Sequence, residues 1–291
     1  PMGTMAHSAV MEANNEYEAF EKYAKAFPNK PLFLADTYDT LKSGVPNAIK
    51  VFTEMREAGV ELKNYGIRLD SGDLAYLSAE CRHILDEHGL AKCKIFATNS
   101  LDEYLITDLE RQGACIDCYG VGDAIATSKA APCFGNVYKL VQIDGEPVLK
   151  RSEDRIKLIN PGFQITYRII QNGKFKVDVT CLRGDDLSKD IEAGKTITVR
   201  DERDRFKSMK FEEGKYEFRT LQEQIVKDGE IIYQDRTIQE KQAYYKDNLA
   251  HLDDTQKRLI NPHYYKCDIS DALYDLKNKL IDNLVKEIEE L

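Results

Sequence analysis

The sequence predicts an α/β protein. Residues 1–143 read as a parallel sheet with flanking helices, and residues 144–291 as an α+β extension with helices at its C-terminal end. Three observations carry this reading. Short apolar runs alternate with longer amphipathic ones up to about residue 142, the pattern of βα units. A polar cluster directly follows each apolar run. Beyond residue 144 the alternation gives way to turn dipeptides between β-rich runs, then to long helical stretches.

In chain order, Leu32–Ala35 reads as a buried strand ending at Asp36. Ala48–Ala58 carries Ile49, Phe52 and Met55 at helical spacing and stops before Gly59. Tyr65–Leu69 is a second strand, ending at Asp70-Ser71-Gly72-Asp73. Helical runs at Leu77–His88 and Leu101–Gln112 stop at Gly89 and Gly113, both placed as helix C-terminal glycines. Between them Lys94–Ala97 is a third strand, ending at Thr98-Asn99-Ser100. Cys115–Tyr119 is a fourth, ending at Gly120-Val121-Gly122, and Val137–Ile143 a fifth. In the extension, Asp144-Gly145 and Asn172-Gly173 are turn signals. Ile165–Ile170 and Phe175–Thr180 flank the second as a hairpin, Thr196–Val199 is a further strand, and Gln239–Leu252 and Ile269–Ile288 are helical.

Composition narrows the function classes. The 291 residues carry 41 basic and 50 acidic side chains, a net charge of −9, which argues against general nucleic-acid binding. No apolar run reaches the ~18 residues a membrane helix needs. Pro1-Met2-Gly3-Thr4 reads as no leader, and seven widely spaced cysteines do not suggest a disulfide scaffold. A reduced, cytoplasmic setting is expected.

Sites in parallel α/β folds are built at the carboxyl ends of the strands, so the polar clusters there are the first candidates. Arg68-Leu69-Asp70-Ser71-Gly72-Asp73 brings two carboxylates, a hydroxyl and a guanidinium together. Such carboxylates can hold a polyol or a metal, and the arginine an anion or a planar acyl group. The plainer alternative is an Asp that caps the next helix and a Gly that permits a turn. Gly120-Val121-Gly122-Asp123, then Thr127-Ser128, would let backbone N–H groups approach a phosphate, or would simply form a tight turn. His7 is a lone histidine early in the sequence, a versatile acid, base or nucleophile that composition alone does not single out.

Other patterns carry no site. Cys115 and Cys118 have CxxC spacing but lie in a predicted strand, where positions three apart face opposite sides. Gly194-Lys195-Thr196 resembles the end of a P-loop, but position 189 is lysine rather than glycine. The Lys and Arg residues between 200 and 210 alternate with acids, a solvated face.

Read together, the clusters resemble the nicotinate phosphoribosyltransferase family, type II phosphoribosyltransferases. The ordered set is Gly3-Thr4-Met5-Ala6-His7-Ser8, Asp36-Thr37-Tyr38-Asp39-Thr40-Leu41, Ile67–Asp73, Leu101-Asp102-Glu103, Tyr119–Gly122, Thr127-Ser128 and Gly135–Leu140. It continues through Asn160-Pro161-Gly162 to Asn261-Pro262-His263. No single motif is decisive; the order is specific.

The resemblance implies transfer of a phosphoribosyl group from 5-phosphoribosyl pyrophosphate to nicotinate, giving nicotinate mononucleotide and pyrophosphate in NAD salvage. ATP hydrolysis as co-substrate, a Mg²⁺ requirement and a homodimer come with it. It implies that His7 is the histidine phosphorylated from ATP, that Arg68 lies near the nicotinate ring, and that Asp70 is the ribose-side carboxylate with Ser71 and Gly72 in its loop. Asp36 and Asp39 would form a polar floor near ribose or metal. Gly120, Val121 and Gly122, with Thr127 and Ser128, would hold the 5′-phosphate. Ser100 stands where relatives commonly have an acid, Asp123 where a hydroxyl is frequent, and Ala9 where a bulky aromatic is usual. A nicotinamide-using relative and an inactive ligand-binding chain stay open; a quinolinate-using relative would lack the histidine motif.

The implied fold is a phosphoribosyltransferase-type α/β barrel. A full barrel takes ~250 residues and eight strands. Five strands before residue 143 lead to the expectation of a partial barrel, corresponding to the C-terminal part of the enzyme, with little turnover by this chain alone.

Overall fold

The computed structural model describes residues 5–150 and 159–289. The chain divides into two compact units, Pro1–Gly135 and Asn136–Leu291, so the division falls a little before the expected boundary at 143/144.

The first unit opens with two helices that the sequence analysis did not identify, α1 (His7–Glu12) and α2 (Glu16–Ala26). Then β1 (Leu32–Leu34), α3 (Val45–Glu57), β2 (Gly66–Leu69), α4 (Leu74–Glu87), β3 (Lys94–Ala97), α5 (Glu103–Arg111) and β4 (Cys118–Tyr119) alternate as expected. The strands form one four-stranded sheet in the order β1-β2-β3-β4, parallel throughout. Among the described residues the sheet is open, without closure into a barrel.

The helices end where the glycines foretell. Gly59, Gly89 and Gly113 all have positive φ, and the next residue closes a six-residue bond: Val60 to Met55, Leu90 to Leu85, Ala114 to Leu109. The helices lay their apolar faces on the sheet. Phe20 of α2 stacks on Phe33 of β1 at 4.8 Å, and Phe33 on Phe52 of α3 at 4.7 Å, pairs worth about 0.5–1.5 kcal/mol each beyond burial. Ile67, Leu69, Ile95 and Ala97 complete the core.

The expected fifth strand at Val137–Ile143 does not extend this sheet. Only β5 (Gln142–Ile143) forms, and it pairs antiparallel with β6 (Glu146–Pro147). The Asp144-Gly145 turn, with both residues at positive φ, folds the run back on itself, and Val137, Tyr138 and Leu140 are exposed. Before this run, α6 (Asp123–Ala126) is a single turn after β4.

The second unit is built on the predicted hairpin. β7 (Gln164–Gln171) and β8 (Lys174–Leu182) pair antiparallel around Asn172 and Gly173, both at positive φ, as a two-residue hairpin loop requires. Buried residues alternate along both strands. After α7 (Asp186–Glu192), β9 (Ile197–Arg200) pairs with β10 (Ser208–Phe211), and β11 (Glu217–Thr220) joins β7. β12 (Val226–Lys227) and β13 (Glu230–Ile231) form a short hairpin, followed by α8 (Ile238–His251). β14 (Lys266–Ile269) adds parallel to β8, and α9 (Asp271–Glu289) follows. Between 200 and 210 the charges are more engaged than a solvated face: Arg200 and Arg205 both pair with Asp271. Lys195 meets Asp190 at 2.9 Å rather than any phosphate loop.

Candidate active site

The ladder of the first unit runs one residue past the strands. Ala35 N donates to Arg68 O, Thr98 N to Leu69 O and Gly120 N to Ala97 O. Asp36, Asp70, Thr98 and Gly120 are therefore delivered at one edge, the carboxyl ends of β1, β2, β3 and β4.

Asp36 is the hub of this edge. Its side chain is only 2% exposed. Oδ2 accepts from the backbone N–H of Asp70 at 2.9 Å and from the hydroxyl of Ser71 at 2.6 Å. Oδ1 is buried without a hydrogen-bond partner and lies 3.9 Å from Nε2 of His7. Asp70, a third exposed, brings Oδ2 to 3.6 Å from the same nitrogen. Its Oδ1 accepts from the hydroxyl of Thr98. On the other side of the ring, His7 Nδ1 lies 3.0 Å from Thr37 Oγ1. A buried orphan carboxylate oxygen is costly, and here it faces an imidazole at a strand end, where functional groups are expected.

His7 is held by its helix. Met5 before it and Val10 after it are buried, which fixes the first turn of α1. The Gly3-Thr4 half of the segment that precedes it lies outside the described residues. The loop carrying Asp36 and Thr37 is fixed from behind. Thr40–Gly44 form a π-helical turn packed so closely that a Cβ on Gly44 would lie 1.8 Å from Ala35 O. Buried Glu16 of α2 accepts from Ser43 Oγ at 2.5 Å and Asn47 Nδ2 at 3.1 Å, tying the turn to the core.

Arg68 sits on β2 with Leu34 and Phe96 as its register neighbours. Its Nε is buried and has no partner. Gly72, at positive φ, turns the chain after Ser71, and Asp73 caps α4 by accepting from Tyr76 N. The capping alternative thus holds for Asp73, while Asp70 and Ser71 join the cluster.

Asp39, expected in the polar floor, stands at the head of the π-helical turn. It is exposed, and its Oδ1 accepts from Leu41 N and Lys42 N, capping the π-helical turn. In the glycine loop, Gly122 is exposed and a Cβ there would meet nothing within 4 Å. Thr127 Oγ1 donates to Asp123 O, and Ser128 Oγ to Ala131 O, so both hydroxyl protons are committed to the main chain. After β3, Asn99 and Ser100 hold φ of 87° and 50°, sparsely populated for non-glycine residues. Sequence reading passed over Thr37 and Thr98; their signal was a β-branched hydroxyl residue just past a strand end.

Among the described residues, no group of three or more His, Cys, Asp or Glu is placed to hold a metal. The CxxC pair falls outside a shared strand, since β4 begins at Cys118. All seven cysteines are free; burial pushes the thiols of Cys81 and Cys93 up to about 12, which leaves them inert.

Comparison with known proteins adds a second line. Residues 163–277 match the model of the nicotinate phosphoribosyltransferase C-terminal domain. The nicotinate phosphoribosyltransferase of Bacillus subtilis is 39% identical over 99% of this chain and 58% of its own length. That of Dictyostelium discoideum is 34% identical over 94% of this chain and 48% of its own length. The chain thus spans roughly half of these relatives. The crystal structure of human nicotinic acid phosphoribosyltransferase superposes with a TM-score of 0.70 at 22% identity, covering 96% of this chain and 62% of that one; this likeness concerns the fold.

Proposed function

The chain belongs to the nicotinate phosphoribosyltransferase family, and we propose that its first unit carries the site at which nicotinate receives a phosphoribosyl group. The observation that supports this most is the approach of His7 Nε2 to two carboxylates, Asp36 and Asp70, at adjacent strand ends. On this reading the open sheet is a segment of an α/β barrel.

Displacing pyrophosphate from 5-phosphoribosyl pyrophosphate builds positive charge on the ribose. Asp70, partly exposed and oriented by Thr98, is suited to face that charge. Arg68 would receive the nicotinate carboxylate, its buried Nε supplying a donor otherwise unspent. Gly120 N is committed to the ladder, so backbone approach to the 5′-phosphate falls to Val121 and Gly122. His7, gripped at Nδ1, would present Nε2 to the γ-phosphate of ATP.

Mg²⁺ needs only one or two protein carboxylates beside substrate phosphates, and the orphaned Oδ1 of Asp36 with Oδ2 of Asp70 fits that need. Bound there, the ion would neutralise charge on the leaving pyrophosphate. The same reading carries a homodimer in the cytoplasm.

The test supplies the full-length enzyme, since little turnover is expected of this chain alone, with nicotinate, 5-phosphoribosyl pyrophosphate, ATP and Mg²⁺ and measures mononucleotide, with calorimetric titration of the mononucleotide alongside. Product from nicotinate, and loss of coupled ATP hydrolysis in His7→Ala with some transfer retained, are expected. Binding without turnover would favour a ligand-binding chain. Absence of both binding and turnover would overturn the reading.

A further inference from the structure

We infer that Thr98 is a positioning residue that sets the spacing between the carboxylate of Asp70 and the glycine loop 120–122. The inference rests on the reading above, in which Asp70 faces the ribose and the loop holds the 5′-phosphate.

Thr98 is the last residue of its strand end held by the ladder, its N–H donating to Leu69 O at 2.9 Å. Beyond it the backbone turns at once through Asn99 and Ser100, both at positive φ. Its two Cβ substituents reach toward different neighbours. The hydroxyl donates to Asp70 Oδ1, on the β2 side. The methyl lies under the loop on the β4 side: a Cβ built on Gly120 would come within 2.6 Å of Thr98 Cγ2. The methyl therefore occupies the place where a side chain at 120 would go. Gly120 is held down onto it by its own bond to Ala97 O at 2.8 Å.

One branched carbon thus touches both halves of the ribose-phosphate subsite. Branching at Cβ makes χ1 stiff, so neither contact shifts without the other. Valine would keep the loop support and lose the grip on Asp70. Serine would keep the grip and lose the support. A threonine that merely ended a strand would make no such division.

The experiment compares Thr98→Val, Thr98→Ser, Gly120→Ala and the double variant of the last two in the full-length enzyme, measuring turnover with nicotinate and calorimetric affinity for Mg²⁺–5-phosphoribosyl pyrophosphate. Thr98→Val should lower kcat about tenfold, the loss of one hydrogen bond to a charged group, with affinity changed less than about twofold. Thr98→Ser should weaken affinity about fivefold while kcat at saturation stays near wild type. Gly120→Ala should weaken affinity in the wild-type background, and Thr98→Ser should rescue it by removing the methyl it strikes. Equal loss of kcat and affinity in both single variants, or no rescue in the double variant, would overturn the inference. A wild-type chain that binds no 5-phosphoribosyl pyrophosphate would instead overturn the functional reading, and the inference with it.

Discussion

Nδ1 of His7 lies 3.0 Å from the hydroxyl of Thr37, so one ring nitrogen is engaged while the other faces Asp36 and Asp70. A histidine with two nitrogens in different company has a preferred orientation, set by the partner it keeps. Thr37 precedes the cap of the π-helical turn by two residues, and that turn is anchored to the core through Glu16. The orientation of His7 is thus inherited from the packing of α2 and the loop after β1.

The first prediction tests that inheritance. Thr37→Val keeps the shape and removes the hydroxyl; Thr37→Ser keeps the hydroxyl. Acid-labile incorporation of phosphate from labelled ATP should fall about tenfold in the valine variant, the worth of one hydrogen bond, and stay near wild type in the serine variant. Undiminished labelling of Thr37→Val would dissociate the hydroxyl from His7 function.

Asp70→Asn and Arg68→Ala should act on different quantities. Asp70 is oriented from two sides, through its N–H on Asp36 and its Oδ1 on Thr98, so the asparagine keeps its place and loses charge. Its effect should fall on kcat, about a hundredfold, because charge there matters where positive charge develops. Arg68→Ala should raise the KM for nicotinate and leave affinity for 5-phosphoribosyl pyrophosphate unchanged. Steady-state kinetics decide: an Asp70→Asn enzyme with normal kcat and raised KM would reverse the role given to it.

Much of the candidate site is legible in the sequence. Asp36, Asp70 and Gly120 follow apolar runs that do form adjacent parallel strands, and strand ends in parallel sheets converge by topology. Asp39 serves as the cap of the π-helical turn, because a short acidic side chain just before a helical turn suits that use as well as a polar floor. Helix α1 is six residues, too short for a period to show, whereas α2 buries Ala19, Phe20 and Ala24 along one face, a helical spacing that the sequence does carry. The fifth strand failed because a turn dipeptide can fold a run back as readily as end it. Thr37 and Thr98 act through single hydroxyls, and only geometry shows whom they touch.

Gly122→Val probes the loop without disturbing its neighbours. Nothing lies within 4 Å of a Cβ at this position and its φ is not positive, so the fold should tolerate the branch. The new methyls would fill the space through which backbone N–H groups reach a phosphate. Calorimetric affinities for 5-phosphoribosyl pyrophosphate and for nicotinate mononucleotide should fall together, by at least about tenfold, with an unchanged melting temperature. Retained affinity for both would move the phosphate to another part of the site.

The second unit offers a test that is independent of catalysis. Asp268 on β14 is buried; Oδ1 accepts from Glu202 N at 3.2 Å, and Oδ2 is buried without a partner. Burial pushes its carboxyl above the ordinary range, and the nearby charge of Asp201 adds to this against the bond from Glu202. A carboxyl raised in the folded state binds its proton more tightly there than in the unfolded chain. Folding is therefore unpenalised below the unfolded value, near pH 4, and loses stability as pH rises from there through the raised folded value. Asp268→Asn keeps an oxygen for Glu202 N and carries no charge. It should stabilise the unit at pH 7 by about 1 kcal/mol, a rise in Tm of about 2–4 °C, and the gain should shrink as pH falls toward 4. Thermal melts of both chains from pH 4 to 8 measure this directly. A variant less stable than the parent at pH 7, or a gain that grows on acidification, would mean that the ionised Asp268 carboxylate has a partner that holds it in place.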